Sequence, residues 1–257
     1  MLTLAANLST LFQEAPLLER FDRASAAGFR AVEIQFPYAA TETEIARALE
    51  QADLRLALLN APAGDLAKGD FGLAIEGGRR FEDSVELALS YAAATACPRI
   101  HILVGQGDLQ GPDGEAAVAN MRWAADRLVA RGLDLMLEAL NPHDRPGYAL
   151  GSIAQANALR ERIQRPKVKL QFDAYHVARN GEDIPATFAG VSAHVGHVQI
   201  ADPADRGEPV GVEMMAFLAT LDAAAYAGVV GAEYLPRGRT EDGLGWALAY
   251  GVGPVHP

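Results

Sequence analysis

The sequence predicts an α/β fold, a (β/α)8 or TIM barrel, with a single domain over residues 1–257. Short apolar runs alternate with longer segments of helical periodicity along the whole chain, which is the order that βα units require. Eight such units in 257 residues are typical of this barrel. A doubly wound sheet is the alternative, but the glycine-rich phosphate-binding turn expected after its first strand is missing.

Eight apolar runs are interpreted as the strands. They have the length and continuous apolar character of strands in a parallel sheet, which is covered on both faces. In chain order these runs are 3–7, 31–36, 54–60, 99–105, 133–140, 168–175, 196–201 and 228–234.

Seven intervening segments carry apolar residues at the spacing of an amphipathic helix. They are 16–28, 41–52, 79–96, 114–132, 152–163, 182–193 and 213–228. Several end in glycine, at Gly28, Gly132 and Gly228, which is a common helix stop. A further segment, 241–250, would supply the eighth helix.

Composition excludes several classes of protein. The formal charge of −11 argues against a nucleic-acid partner, because a phosphate-binding surface should be basic. The single cysteine, Cys97, rules out a disulfide framework and a cysteine zinc site. The N-terminus lacks signal-peptide features, and no apolar run reaches the roughly 18 residues of a membrane span. We expect a cytoplasmic protein with no membrane partner, and a homo-oligomer is left open.

Four polar residues stand at the ends of consecutive predicted strands: Glu138, Asp173, Gln199 and Glu233. Barrel enzymes carry out their chemistry at this C-terminal edge, where the ends of neighbouring strands meet. Period-two geometry allows each of the four side chains to point inward. Any one of them alone would be explained by a hydrogen bond to water or backbone. Four at consecutive strand ends favour a shared site.

Three carboxylates in one buried site would repel one another and raise their pKa values. A divalent cation removes that repulsion, and oxygen ligands favour Mg²⁺ or Mn²⁺ over zinc. The sequence therefore predicts one such ion, held by Glu138, Asp173, Gln199 and Glu233. Gln199 would contribute a neutral carbonyl oxygen as the fourth ligand.

Seven segments together resemble the hydroxypyruvate isomerase family, which includes the 2-oxo-tetronate isomerases and falls within the xylose isomerase-like barrels. The segments occur in the family's order across nearly the whole chain, at 5–9, 36–38, 59–65, 172–176, 197–209, 232–234 and 240–246. The resemblance implies the same four metal ligands, with Glu138 and Glu233 as the acid–base pair. It also implies substrate-binding roles for His176 and Arg206.

The activity that this resemblance implies is the isomerisation of a small 2-oxo acid, either hydroxypyruvate or a 2-oxo-tetronate, through an enediolate. Such a substrate needs a partner for its carboxylate, and Arg206 is the first candidate because guanidinium pairs with carboxylate. Arg79 and Arg237 are further candidates, although a solvated surface charge explains them equally well. Glu213 is interpreted as facing the substrate or as a carboxylate at a helix start. Leu235 replaces a lysine that commonly follows "EY" in the family.

Rival functions make different demands on the sequence. A ketose 3-epimerase would use the same metal and glutamate pair on a neutral sugar. An abasic-site endonuclease needs several metals, many histidines and a basic face, which an acidic chain with six histidines lacks. A non-catalytic sugar-acid binding protein would not need an acid–base pair. Among the remaining polar residues, Asn7 and His101 are predicted at the barrel floor, His197 deeper in the barrel, and His143 and His256 on the surface.

Overall fold

The computed structural model describes residues 1–253 and forms a closed barrel of parallel strands in the order β1 to β8. The predicted fold class is confirmed. His256 lies outside the described residues. The strands are β1 Thr3–Asn7, β2 Ala31–Ile34, β3 Arg55–Asn60, β4 Arg99–His101, β5 Asp134–Glu138, β6 Val168–Asp173, β7 Val195–Ile200 and β8 Val229–Ala232.

Helices surround the barrel, and each predicted segment from 16–28 to 213–228 overlaps one, whereas the helix Ala174–Arg179 was not predicted. The α-helices are α1 Glu19–Ala26, α2 Glu42–Ala52, α3 Gly78–Thr95, α4 Pro112–Val129, α5 Ile153–Ile163, α6 Ala174–Arg179, α7 Ile184–Val191 and α8 Val212–Ala223. The eighth segment is a 3-10 helix, Thr240–Tyr250, rather than an α-helix. Among the described residues, none of the helices combines the length and apolar character needed to cross a membrane.

Several strands end earlier than predicted at the C-terminal edge of the barrel, and two of these differences affect the site. The fourth strand ends at His101 instead of 105, because the chain then leaves the sheet and Val104 pairs antiparallel with Gly72. The sixth strand ends at Asp173, and α6 begins at once because Oδ1 of Asp173 accepts a hydrogen bond from the Tyr175 N–H at 2.9 Å. As a result, His101 is the last residue of β4, and His176 lies in the first turn after β6.

The interior of the barrel changes from apolar to polar along its axis. Ala5, Ala31 and Ala57 form a small buried cluster near the N-terminal ends of their strands. Two residues further along β1 and β2, on the same face, stand Asn7 and Glu33, which are paired in register. The small alanine side chains thus fill one level of the barrel, and long polar side chains fill the next.

Candidate active site

A cavity of about 350 Å³ opens at the carboxyl ends of the strands. This volume is in the range of small-molecule sites. The side chains of Glu138, Glu233, His176 and Arg206 line it, and all four are residues that the sequence analysis selected. The cavity is therefore where the chemistry of this barrel is expected.

The four residues predicted at the strand ends come together beside this cavity. Glu138 pairs in register with Gln171 of β6, and Asp173 pairs with Gln199 of β7. Glu233 follows β8 directly, and each of the four residues is at most 5% exposed. The barrel closure thus buries three carboxylates and one amide in one place.

Two of these carboxylates each have an oxygen without a hydrogen-bond partner in the described chain. They are Oε1 of Glu138 and Oδ2 of Asp173, and both atoms are buried. Leaving a neutral buried polar group without a partner costs about 1–3 kcal/mol, and leaving a charged carboxylate oxygen without one costs more. A cation or a hydrogen-bond donor would remove this cost. Glu138, Asp173 and His176 each offer one potential ligand atom, and these atoms lie within 4.8 Å of one another. The two carboxylate oxygens of this group fit a divalent cation.

His176 differs from the two carboxylates because a hydrogen bond fixes its tautomer. Its Nδ1 accepts the backbone N–H of Asn141 at 3.1 Å, and burial lowers the pKa of the imidazole to about 3. Because Nδ1 accepts this bond, the neutral ring carries its proton on Nε2. Nε2 lies 3.6 Å from Oδ2 of Asp173. In this arrangement His176 is a hydrogen-bond donor, which suits a substrate-binding role better than metal ligation.

Both carboxylate oxygens of Glu233 are held by donors. Oε1 accepts from Gln35 at 2.9 Å and from Arg206 at 2.7 Å. Oε2 accepts from Asn7 at 2.9 Å and from Gln199 at 2.6 Å. These four hydrogen bonds fix the plane of the carboxylate at the cavity wall.

Gln199 links two carboxylates through its amide nitrogen. Nε2 donates to Glu33 at 2.8 Å and to Glu233, while its carbonyl oxygen accepts from Gln171 at 2.6 Å. The two acceptors determine which end of the amide is nitrogen, since a carboxylate accepts and cannot donate. The carbonyl oxygen therefore points away from both, with a lone pair left beyond the Gln171 bond.

Glu33 is a central residue of this network that the sequence analysis did not select. It is 1% exposed and accepts from Asn7 at 2.9 Å and from Gln199, and His197 Nε2 lies 2.5 Å from its other oxygen. The available signal was a carboxylate inside the apolar run "AVEIQF", sharing a face with Gln35. Buried charge in a strand indicates a partner, and His197 deeper in the barrel supplies one.

The space for Glu33 depends on a glycine in the opposite strand. A Cβ added at Gly231 would lie 2.6 Å from the carboxyl carbon of Glu33, which its hydrogen bonds prevent from moving aside. Gly231→Ala should therefore lower the free energy of unfolding by about 1–3 kcal/mol in denaturant titrations. Gly190→Ala in α7, where no atom lies within 4 Å, is the control and should be neutral or stabilising. Equal stability of both variants would contradict the close packing.

Burial raises the pKa values of all three carboxylates. The pKa of Glu138 is well above its ordinary range because of desolvation and the neighbouring Glu233 and Asp173. Desolvation likewise raises the pKa of Glu233 to about 8 and that of Asp173 to about 6, against the opposing charge of Arg206. A cation that binds here therefore competes with protons for these carboxyl groups.

The stability of the protein in chelator should consequently fall as pH rises. Between about 4.5, the ordinary value, and about 8, the folded chain keeps the Glu233 proton that the unfolded chain has released. Unfolding free energy decreases with pH wherever the folded state binds more protons. Melting temperatures measured across this window should decline, and Glu233→Gln should flatten the decline. A slope unchanged in that variant would show that Glu233 does not titrate there.

Arg206 reaches the site from an unusual backbone conformation. Its φ of 58° lies in the left-handed region, which non-glycine residues rarely adopt. Its N–H donates to the Asp202 carbonyl at 2.8 Å, and its carbonyl accepts from the Leu235 N–H at 2.7 Å. These two bonds hold the residue so that its largely buried guanidinium faces Glu233 and Asp173.

Three sequence-predicted residues lie outside the cavity. Arg79 in the first turn of α3 is 90% exposed and pairs with Asp83, so the structure does not place it as a substrate-binding group. Glu213 is exposed in the first turn of α8, which is the helix-start alternative. Arg237 pairs with neighbouring acidic groups and is not among the residues that line the cavity.

The overall arrangement identifies a class of protein. A closed (β/α)8 barrel with acidic side chains gathered at the C-terminal ends of its strands is the plan of a TIM-barrel enzyme. The family model described as "Xylose isomerase-like TIM barrel" matches residues 21–250, and the chain is a xylose isomerase-like barrel.

Relatives define the family more closely. A hydroxypyruvate isomerase from Escherichia coli is 37% identical over 257 residues, which cover 97% of this chain and 100% of that protein. A 2-oxo-tetronate isomerase from Pectobacterium atrosepticum is 36% identical over 253 residues, covering 95% of each. The chain therefore belongs to the hydroxypyruvate isomerase family, and it is an isomerase.

Solved structures agree on the fold. A protein from Brucella melitensis described as an AP endonuclease of family 2 has a TM-score of 0.93 and 40% identity, covering 97% of this chain and 99% of that chain. The 3-keto-D-glucoside 4-epimerase from Escherichia coli has a TM-score of 0.76 at 19% identity, covering 97% of this chain and 100% of that chain. The second likeness concerns the fold alone.

Proposed function

We propose that this protein is a metal-dependent isomerase of a small 2-oxo acid, converting hydroxypyruvate to tartronate semialdehyde or acting on a 2-oxo-tetronate. The observation that carries the proposal is that two buried carboxylates, Glu138 and Glu233, line one small cavity. The names of the full-length relatives support the substrate class.

The residues that would hold the metal are Glu138, Asp173, Gln199 and Glu233. Unpartnered oxygens on Glu138 and Asp173 support these two ligands directly, whereas Gln199 and Glu233 would each exchange a hydrogen bond of this structure for the ion. A bound Mg²⁺ or Mn²⁺ would act as a Lewis acid that stabilises the negative charge developing on the substrate oxygens.

The reaction moves one proton between adjacent carbons. One of Glu138 and Glu233 removes a proton from C3 of hydroxypyruvate, giving an enediolate, and the other delivers a proton to C2, while the proton of the C3 hydroxyl passes to the oxygen on C2. A single glutamate that shuttles the proton is the alternative. The Nε2–H of His176 donates a hydrogen bond to a substrate oxygen. The N–H groups of Arg206 that are not bonded to Glu233 donate to the substrate in the same way.

The direct test is an assay of purified protein with hydroxypyruvate, a 2-oxo-tetronate and a ketohexose, each with Mg²⁺, Mn²⁺ or chelator. Turnover of an acid substrate that depends on metal is the expected result. Epimerisation of the ketohexose with no turnover of either acid would replace the proposal with the ketose 3-epimerase.

Gln199→Ala should weaken metal binding while the barrel stays folded, because it removes a neutral ligand and leaves the carboxylates. We expect about a 10- to 100-fold rise in the dissociation constant for Mn²⁺, measured by calorimetry. Gln51→Ala, an exposed glutamine at the end of α2, is the matched control. An unchanged affinity in Gln199→Ala would remove this residue from the ligand set.

A further inference from the structure

Two arginines line the cavity, and they are in different electrostatic situations. The guanidinium of Arg206 already donates to Glu233 at 2.7 Å and lies 3.9 Å from Asp144. Arg145, which the sequence analysis did not select, forms no ion pair within residues 1–253. Within the described residues its guanidinium donates one hydrogen bond, to the backbone oxygen of Asp144 at 3.1 Å.

Arg145 is nevertheless held in place. Its guanidinium carbon lies 4.4 Å from the ring centroid of Phe71, which comes from the loop between β3 and α3. Stacking on an aromatic face orients the guanidinium plane and leaves the N–H edge free for a planar anion. Phe71 is itself packed edge-to-face on Tyr148, with ring centroids 6.2 Å apart.

The backbone of Arg145 is connected to the reacting end of the cavity. Its N–H donates to the Asn141 carbonyl at 3.0 Å, and the Asn141 N–H donates to Nδ1 of His176. One short turn therefore positions both His176 and Arg145. A ligand that contacts the Nε2 proton of His176 is placed at the same time relative to the Arg145 side chain.

The charges in the cavity indicate which end receives a substrate's carboxylate. Glu138 and Glu233, the proposed proton carriers, line the buried inner end of the cavity, so the reacting carbons of the substrate lie there. Leu66, Phe71 and Leu235 also line the cavity, and because Leu66 and Leu235 are about half exposed they lie at its mouth. Arg145 provides an unpaired positive charge among these residues.

We propose that Arg145, stacked on Phe71, binds the carboxylate of the substrate and so gives the enzyme its preference for 2-oxo acids. The assignment rests on the proposed function for the identity of the substrate. Arg206 then acts at the reacting end of the cavity, and the carboxylate of the 2-oxo acid points toward the cavity mouth.

The test compares Arg145→Gln with wild type in kinetics on hydroxypyruvate. KM should rise about 10- to 100-fold, as expected for loss of a hydrogen-bonded charge pair, while kcat changes little. Arg145→Lys should recover part of the loss, and Phe71→Leu should give a smaller rise. Arg30→Gln, the same exchange at an exposed position just before β2, is the control and should leave KM unchanged. A KM within twofold of wild type in Arg145→Gln would overturn the proposal.

A second measurement tests the carboxylate site at Arg145 independently of the proposed isomerase activity. Calorimetric titration of metal-loaded protein with glycerate, which carries the carboxylate but no carbonyl, does not depend on turnover. Glycerate binding that weakens at least about 10-fold in Arg145→Gln supports the carboxylate site even if no acid is isomerised. No glycerate binding by wild type, or equal binding by both proteins, overturns the site, whatever the activity assay shows.

Discussion

Glu138→Gln and Glu233→Gln should each lower kcat for hydroxypyruvate by about 10²- to 10⁴-fold, the usual contribution of general acid–base catalysis. Each exchange keeps a carbonyl oxygen that can ligate a metal but removes the basic oxygen. Binding of Mn²⁺ should therefore survive in part, and calorimetry on the same variants would show it. Glu161→Gln, a 63% exposed glutamate in α5, is the matched control.

The two variants should also differ from each other if both glutamates transfer protons. The variant that retains the base should still exchange a C3 proton of hydroxypyruvate for solvent deuterium without forming product. Nuclear magnetic resonance of the substrate in deuterium oxide would reveal this asymmetry. Near-normal turnover in either variant would show that its glutamate serves only as a ligand, and a single-base shuttle would take the place of the pair.

Arg206→Leu should lower kcat/KM by about 30-fold to several thousand-fold, because truncating a buried, hydrogen-bonded charge pair costs about 2–5 kcal/mol. The change removes a donor to Oε1 of Glu233 and the cation that opposes the raised pKa values of Glu233 and Asp173. We expect most of the loss in kcat, since the fixed carboxylate of Glu233 takes part in the chemical step.

The split between kcat and KM distinguishes the two arginines. Arg206→Lys keeps a charge but cannot reproduce the guanidinium geometry, so only part of the activity should return. If Arg206→Leu raised KM alone, Arg206 would be the partner of the substrate's carboxylate, as its position after the seventh strand first suggested. That outcome would also contradict the role assigned to Arg145.

Much of the site could be predicted because it lies at strand ends. In a parallel barrel the sequence order of the strands is their spatial order, so Glu138, Asp173, Gln199 and Glu233 had to be neighbours once the eight strands were recognised. Period-two alternation then placed them on the inner face. Their common burial follows from these two rules and needs no knowledge of the loops.

Loop residues could not be placed in the same way. Arg79 and Arg145 are both arginines in segments that follow strands, yet Arg79 lies 90% exposed on α3 and Arg145 lines the cavity. The difference arises from a turn anchored on His176 and from stacking on Phe71. Neither contact leaves a periodic signal, because each joins residues from separate βα units.

The sequence by itself determined the barrel and the group of acidic residues at its C-terminal edge. Local hydrophobic periodicity encodes each element, and the barrel's regular connectivity converts strand order into proximity. Only the tertiary structure decided the partners within the site. The bond between Gln199 and Glu33 joins residues 166 positions apart. It exists because barrel closure brings β2 and β7 across one interior, where buried polar groups must pair.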